Sequence, residues 1–206
     1  MTKILLCVTT MGVIHTQLAM RLIQWSHMHN VKIRPTINLV PLDNARNTVC
    51  AELRNSDEDY ILFIDDDIIP PANAITELLK MDVDIACPLC LTMKADDNGF
   101  SVPMPVAFKY QGNKCLPYYG SGIEQVDIGT GGMILIKRKV IEEMKRPFYF
   151  TYNEYGILEH SEDFVFFMNA YKRGFKTFVN YDIICGHKKT CDIKDINNTL
   201  AMVSHG

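Results

Sequence analysis

Hydrophobic and polar positions along residues 3 to 91 alternate between two periods. Lys3-Ile4-Leu5-Leu6-Cys7-Val8 is a short apolar run that ends at Thr9-Thr10-Met11-Gly12, which predicts a buried first strand. From Thr16 to His27, residues Leu18, Ala19, Leu22, Ile23 and Ser26 recur at helical spacing, with Thr16 expected as the N-cap. Val31 to Leu42 alternates loosely and predicts a second strand; Asp43 is then expected to cap a helix reaching Arg54. Tyr60-Ile61-Leu62-Phe63-Ile64 is continuously apolar and ends in Asp65-Asp66-Asp67. Pro70-Pro71 closes that strand and suits the first turn of a helix carrying Ile75, Leu78 and Leu79, before a further strand over Asp84 to Leu91.

This alternation predicts an α/β fold with a mostly parallel central sheet flanked by helices on both faces. Such sheets bind ligands at the carboxyl ends of their strands, the edge where Asp65, Asp66 and Asp67 fall. Residues 92 to 122 break the rhythm. Asp96-Asp97-Asn98-Gly99 and Gln111-Gly112-Asn113 are turn signals around a strand at Val106 to Tyr110, and a mobile loop region is expected there. Val126-Asp127-Ile128-Gly129-Thr130-Gly131-Gly132 follows, then a strand over Met133 to Ile136 and a short helix over Lys139 to Met144. Ser161-Glu162-Asp163 opens the clearest helix of the second half, with Phe164, Phe167, Met168 and Tyr171 on one stripe and Gly174 at its end. A last strand, Thr177 to Ile184, runs into Gly186-His187-Lys188-Lys189, and the rest is a polar tail.

The chain has 206 residues, 48% of them hydrophobic, which suits one domain over residues 1–206. Within it a first half is expected over about 1–91, a second half over about 92–190 and a tail over 191–206. The net charge of −3 gives no indication of a broad nucleic-acid-binding face. No apolar run approaches the ~20 residues needed to cross a bilayer, so stable membrane insertion is not expected, and a cytoplasmic location is. Seven cysteines do not read as a disulfide framework. Cys87-Pro-Leu-Cys90 has the spacing of a zinc or redox pair, but its apolar surroundings favour reduced core thiols.

Asp65-Asp66-Asp67 is the strongest chemical signal. Adjacent carboxylates behind a buried strand repel one another unless something cationic sits among them, and a hard divalent ion completed by phosphate oxygens is a common remedy. The plainer alternative is an acidic turn that caps the next helix. Similar pairs of readings hold elsewhere. Arg46 suits a base or phosphate, or a surface ion pair with Asp43 or Glu52. Gly131 and Gly132 allow close backbone approach, or a tight turn. Glu162 and Asp163 offer a general base, or cap the helix that they begin. His187 is a candidate metal ligand, or a solvated loop residue.

Taken in order, these motifs resemble a known family. Phe63-Ile64-Asp65-Asp66-Asp67 is similar to the DxD motif of GT-A-fold nucleotide-sugar glycosyltransferases, especially glycosyltransferase family 2. Asp43-Asn44-Ala45-Arg46-Asn47 resembles their Ala-Arg-Asn turn, Gly129-Thr130-Gly131-Gly132 their glycine-rich segment, and Ser161-Glu162-Asp163 their "ED" motif. The resemblance implies a GT-A, Rossmann-like sheet with a minimal acceptor-side subdomain. It implies Mn²⁺ or Mg²⁺ on Asp65, Asp67 and His187, and a nucleotide-sugar donor near Thr10, Arg46, Asn47, Asp66, Gly131, Gly132 and Lys188. His15 is expected to border the nucleotide as well. Asp163, with Glu162, is implied as the catalytic pair. The implied activity is a metal-dependent, inverting transfer of one hexose to an acceptor hydroxyl, with UDP-sugar favoured as donor and GDP-mannose next. The acceptor stays open between glycan, protein, small molecule and modified nucleic-acid base. No QxxRW-like sequence is present, which points away from processive synthesis. The alternatives are a haloacid-dehalogenase-like phosphotransferase and a non-catalytic nucleotide- or zinc-binding module.

Overall fold

A computed structural model describes residues 2–95 and 101–188. In chain order the elements are β1 (Lys3–Thr10), α1 (Thr16–Met28), β2 (Asn30–Ile37), α2 (Leu42–Arg54), β3 (Tyr60–Asp65), β4 (Ile68–Ile69), α3 (Ala74–Lys80) and β5 (Ile85–Ala95). There follow β6 (Ser101–Pro105), β7 (Phe108–Gln111), β8 (Lys114–Pro117), β9 (Ile123–Val126), β10 (Met133–Lys137) and α4 (Arg138–Glu142). Last come β11 (Thr151–Tyr152), β12 (Leu158–His160), α5 (Glu162–Lys172) and β13 (Thr177–His187).

The main path of the central sheet is β2-β1-β3-β10-β5-β13-β4, with β6 beside β5 and β9 beside β13. Strands β2, β1 and β3 are mutually parallel, and β5 is parallel to β13. β10 runs antiparallel to both β3 and β5, so it joins two parallel blocks that share one direction. The carboxyl ends of β1, β3, β5 and β13 therefore lie along one edge.

Side-chain alternation divides the core between the two faces. Leu5, Cys7, Ile61, Phe63, Ile134 and Ile136 pack with residues of α2, α4 and α5 on one face. Ile4, Leu6, Leu62, Ile64, Met133 and Leu135 pack with residues of α1 and α3 on the other. Trp25 is wholly buried on α1, and its indole N–H donates to the Ala72 carbonyl at 2.8 Å.

Several expectations change at the element ends. The N-cap of α1 is His15, whose ring accepts from the Gln17 amide at 3.3 Å; Thr16 is the first helical residue. The second strand stops at Ile37, short of the expected Leu42, and Pro41 takes the N-cap position of α2. Asp43 is in the first turn, buried and paired with Arg146 at 3.1 Å. The strand expected at Val106 to Tyr110 is β7, which pairs with β8 across the turn at Gln111-Gly112-Asn113, while β6, paired with an extended β5, lies where a loop region was expected. The expected turn at 96–99, Lys189 and the tail from 191 lie outside the described residues. Among the described residues, no helix is long and apolar enough to cross a membrane.

Candidate active site

Asp65 is the last residue of β3, and Asp66 and Asp67 form the turn that leads into β4. Two clefts meet at these aspartates. One, of about 300 Å³, is lined by Thr9, Thr10, Thr36, Leu39, Val40 and Leu42 together with all three aspartates. The other, also of about 300 Å³, is lined by Asp65, Asp67, Thr130, Gly131, Asp163 and His187 among others.

Asp65 is held from two sides. Its Oδ1 accepts from the Thr9 hydroxyl at 2.6 Å and from Arg46 Nη2 at 3.0 Å. Thr9 and Asp65 are register partners in parallel β1 and β3, which is why the hydroxyl reaches the carboxylate. Burial pushes the Asp65 carboxyl above its ordinary range, against the pull of Arg46 and Thr9.

Arg46 lies inside the protein, 1% exposed, and makes no surface pair with Asp43 or Glu52. Its Nη2 also donates to the Gly131 carbonyl at 3.1 Å, and its Nε is 3.6 Å from Glu162 Oε1. The guanidinium carbon stands 5.7 Å from the Phe63 ring centre and 5.5 Å from that of Phe148. Burial works against its charge, but Asp65, Glu162 and Asp163 more than offset this and hold its pKa above the ordinary value. Arg46 faces its carboxylates and is not among the residues lining the first cleft. Asn47 is likewise engaged elsewhere. Its side-chain N–H donates to the Phe148 carbonyl at 2.6 Å and its oxygen accepts the Phe148 amide at 3.2 Å.

Glu162 and Asp163 are neighbours with different surroundings. Glu162 is 4% exposed and faces Arg46; burial raises its pKa, with Arg46 opposing. Glu162, expected as part of the catalytic pair, faces Arg46 and is not among the residues lining the second cleft. Asp163 lines the second cleft. Its Oδ1 accepts from the Ser161 hydroxyl and from the Phe164 amide, the latter at 2.8 Å, which locks the side chain at the head of α5. Gly131 has a specific reason to lack a side chain, since a Cβ there would lie 2.1 Å from Asp163 Oδ2. Gly132 has a separate backbone role, its carbonyl accepting the Asp65 amide at 3.0 Å.

His187, at the end of β13, comes to Asp67. Its Nδ1–H donates to the Leu91 carbonyl at 2.8 Å, and its Nε2 stands 3.2 Å from Asp67 Oδ2. A neutral imidazole with a protonated Nδ1 presents a lone pair at Nε2. Two electron-rich atoms at that spacing are compatible when a proton or a cation lies between them. Ligand atoms each about 2.1 Å from a divalent ion, at a right angle, would be about 3.0 Å apart. The pair therefore fits an ion of the Mg²⁺ or Mn²⁺ kind, with the Leu91 carbonyl fixing the ring from behind. Among the described residues, however, no three His, Cys, Asp or Glu side chains converge to hold a metal alone. Of the expected trio, Asp67 and His187 lie side by side, while Asp65 Oδ1 accepts from Thr9 and Arg46.

The remaining residues fall around this centre. Asp66 lines the first cleft, and its carbonyl accepts from the His15 amide at 3.5 Å. Thr10 lines it too, but its hydroxyl is used within its own loop, donating to the Val13 carbonyl at 2.9 Å. Lys188 is exposed, and its backbone N–H donates to the Asp67 carbonyl at 2.8 Å. Thr9 is the polar residue missed from sequence, where the reading settled on its neighbour Thr10. The zinc reading of Cys87 and Cys90 fails on geometry: three positions apart on β5, they enter the cores on opposite faces of the sheet.

Neither a family model nor a curated protein sequence matches the chain. Solved structures do. A197 from STIV is 18% identical, with a TM-score of 0.58 over 92% of this chain and 87% of that one. GalNAc-T7, crystallised with UDP, GalNAc and Mn²⁺, is 13% identical, with a TM-score of 0.55 over 93% of this chain. Residues 1–349 of S. aureus TarS give 16% identity and a TM-score of 0.51 over 98% of this chain. The chain spans 44% of the GalNAc-T7 structure and 64% of the TarS one. At these identities the likeness is one of architecture, and with the mixed sheet and flanking helices it establishes that this chain has a GT-A-like fold.

Proposed function

We propose that the chain transfers a sugar from a nucleoside-diphosphate donor to an acceptor hydroxyl with the help of a divalent ion. One observation carries the reading. The two clefts meet on Asp65 and Asp67, with a His187–Asp67 pair fit for a cation and a carboxylate, Asp163, on the far side. The donor's nucleoside would occupy the cleft lined by Thr10, Thr36, Leu39 and Val40, and the acceptor the cleft lined by Thr130, Gly131 and Asp163. Asp67 and His187 would hold Mn²⁺ or Mg²⁺, with Asp65 and Asp66 on the donor side. When bound, the ion neutralises negative charge on the departing diphosphate.

In the step itself, the acceptor oxygen forms a bond to the anomeric carbon as the bond from that carbon to the phosphate oxygen breaks. The acceptor proton passes to the Asp163 carboxylate, and the nucleoside diphosphate leaves. Attack from the acceptor cleft, opposite the leaving group, inverts the anomeric centre. Glu162, shielded by Arg46, takes no proton from substrate in this scheme. A UDP-sugar is the favoured donor, with GDP-mannose next; the Mn²⁺ and UDP found with GalNAc-T7 support that order only by likeness.

The test is a thermal-shift panel of nucleotide sugars with and without Mn²⁺. Stabilisation by one donor, only when metal is present, is the expected result. Absence of any metal-dependent shift across UDP-, GDP-, ADP- and dTDP-sugars would refute the assignment.

A further inference from the structure

The buried arginine has a function that the proposed reaction does not yet use. Arg46 sits on α2, yet its guanidinium reaches three separate elements: the carboxylate that ends β3, the Gly131 carbonyl before β10, and Glu162 at the first turn of α5. Those elements carry the donor-side wall, the glycine-rich segment and the helix that presents Asp163. A fully buried charge without structural return is expensive, so a cation shared among three elements calls for a reason.

The hydrogen bonds are unevenly distributed. Nη2 makes both of them, while Nε and Nη1 are buried without a hydrogen-bond partner. Glu162 is an electrostatic neighbour, its oxygen 3.6 Å from Nε and outside hydrogen-bond range. The planar cation lies against the aromatic rings of Phe63 and Phe148. Lysine would keep the charge but lose the planar guanidinium that lies against Phe63 and Phe148.

We propose that Arg46 is a positioning residue, which sets the distance between the donor-side carboxylate Asp65 and the base-bearing start of α5. It touches neither substrate. It acts by holding the two catalytic walls against each other, so its loss should fall on turnover and not on donor affinity. The part concerning turnover rests on the transferase reading; the part concerning placement of α5 does not.

Two variants test it, Arg46→Lys and Glu162→Gln. For Arg46→Lys, kcat should fall about 30-fold or more, since misplacing reacting groups by a fraction of an ångström is costly, while the donor dissociation constant stays within about threefold. Amide hydrogen exchange should quicken by about tenfold over residues 161–165 and 129–132, and not in the distant α3. Glu162→Gln keeps the side-chain shape and removes one contact. It should show a smaller loss of kcat, with the double variant no worse than Arg46→Lys alone. If Arg46→Lys does not fold, the Glu162→Gln exchange pattern over 129–132 and 161–165 decides alone.

Unchanged exchange at both segments would overturn the proposal. So would a donor affinity loss matching the loss of turnover, which would make Arg46 a donor ligand. If the parent protein binds no nucleotide sugar, the transferase reading fails separately, and the exchange data still decide whether Arg46 places α5.

Discussion

Replacing Gly131 by alanine would put a methyl group where Asp163 already lies. The new Cβ would meet Oδ2 at 2.1 Å, Cγ at 2.7 Å and the Asp163 Cβ at 2.9 Å. Rotating the carboxylate clears only the first two contacts, and the short distance to the aspartate's own Cβ requires the head of α5 to yield as well. Asp163 Oδ2 must retreat by about 1 Å to escape the overlap, a displacement on the scale that costs about 100-fold in rate when it separates reacting groups. Overpacking of this kind typically costs about 1–3 kcal/mol of stability, a fall in Tm of about 2–10 °C for a chain of this size. The expected variant is therefore folded, binds donor and metal nearly as the parent does, and turns over about 100-fold more slowly. Calorimetric donor titration beside steady-state transfer separates these effects. Turnover within threefold of the parent would mean that the Asp163 carboxylate is not the group that the acceptor needs in place.

Other perturbations read other parts of the site. Asp67→Ala and His187→Ala should each weaken Mn²⁺ binding by about 100-fold or more, measured by electron paramagnetic resonance, and should abolish metal-dependent turnover; near-normal activity of either in EDTA would remove the pair as ligands. Asp163→Asn should reduce kcat by about 100- to 10,000-fold with little change in donor affinity, and equal losses in both would exclude it as base. Glu162 gives a pH-dependent prediction. Burial, with Arg46 opposing, raises its folded-state pKa above the ordinary 4.5, so its protonated form favours folding. Its contribution is fully present below 4.5 and is lost as pH rises through the folded-state value. The always-neutral Glu162→Gln variant should therefore gain stability relative to the parent as pH increases from 4.5; a constant difference in denaturation midpoint would contradict this.

Much of the architecture was visible in the periodicity. Runs such as Tyr60 to Ile64 and Phe164 to Tyr171 became β3 and α5, although α5 buries Val165, Phe166, Phe167 and Ala170 and leaves Tyr171 of the expected stripe half exposed. Strand direction is not encoded in that period, so the reversal of β10 between two parallel blocks could not be read from Met133 to Ile136. β4 is two residues long and held only by its pairing with β13, which no local pattern announces. At the site, the sequence marked the chemically conspicuous side chains but not their company. Arg46 read as a base or phosphate ligand, or as a surface ion pair, because the carboxylates that neutralise it, Asp65 and Glu162, are brought in by tertiary structure. Thr9 and Thr10 are indistinguishable as letters, and only the strand's alternation against Asp65 decides which hydroxyl serves it. The need for glycine at 131 likewise arises from a side chain on another element.

The insertion of β10 between β3 and β5 also bears on how the chain can be assembled. A nascent or truncated polypeptide ending before Met133 would carry β3 and β5 without the strand that joins them, leaving an unsatisfied backbone ladder along β3. Bare ladders of this sort recruit other chains. Cutting the protein near residue 100 should thus yield two pieces that are poorly behaved separately but able to complement one another when coexpressed.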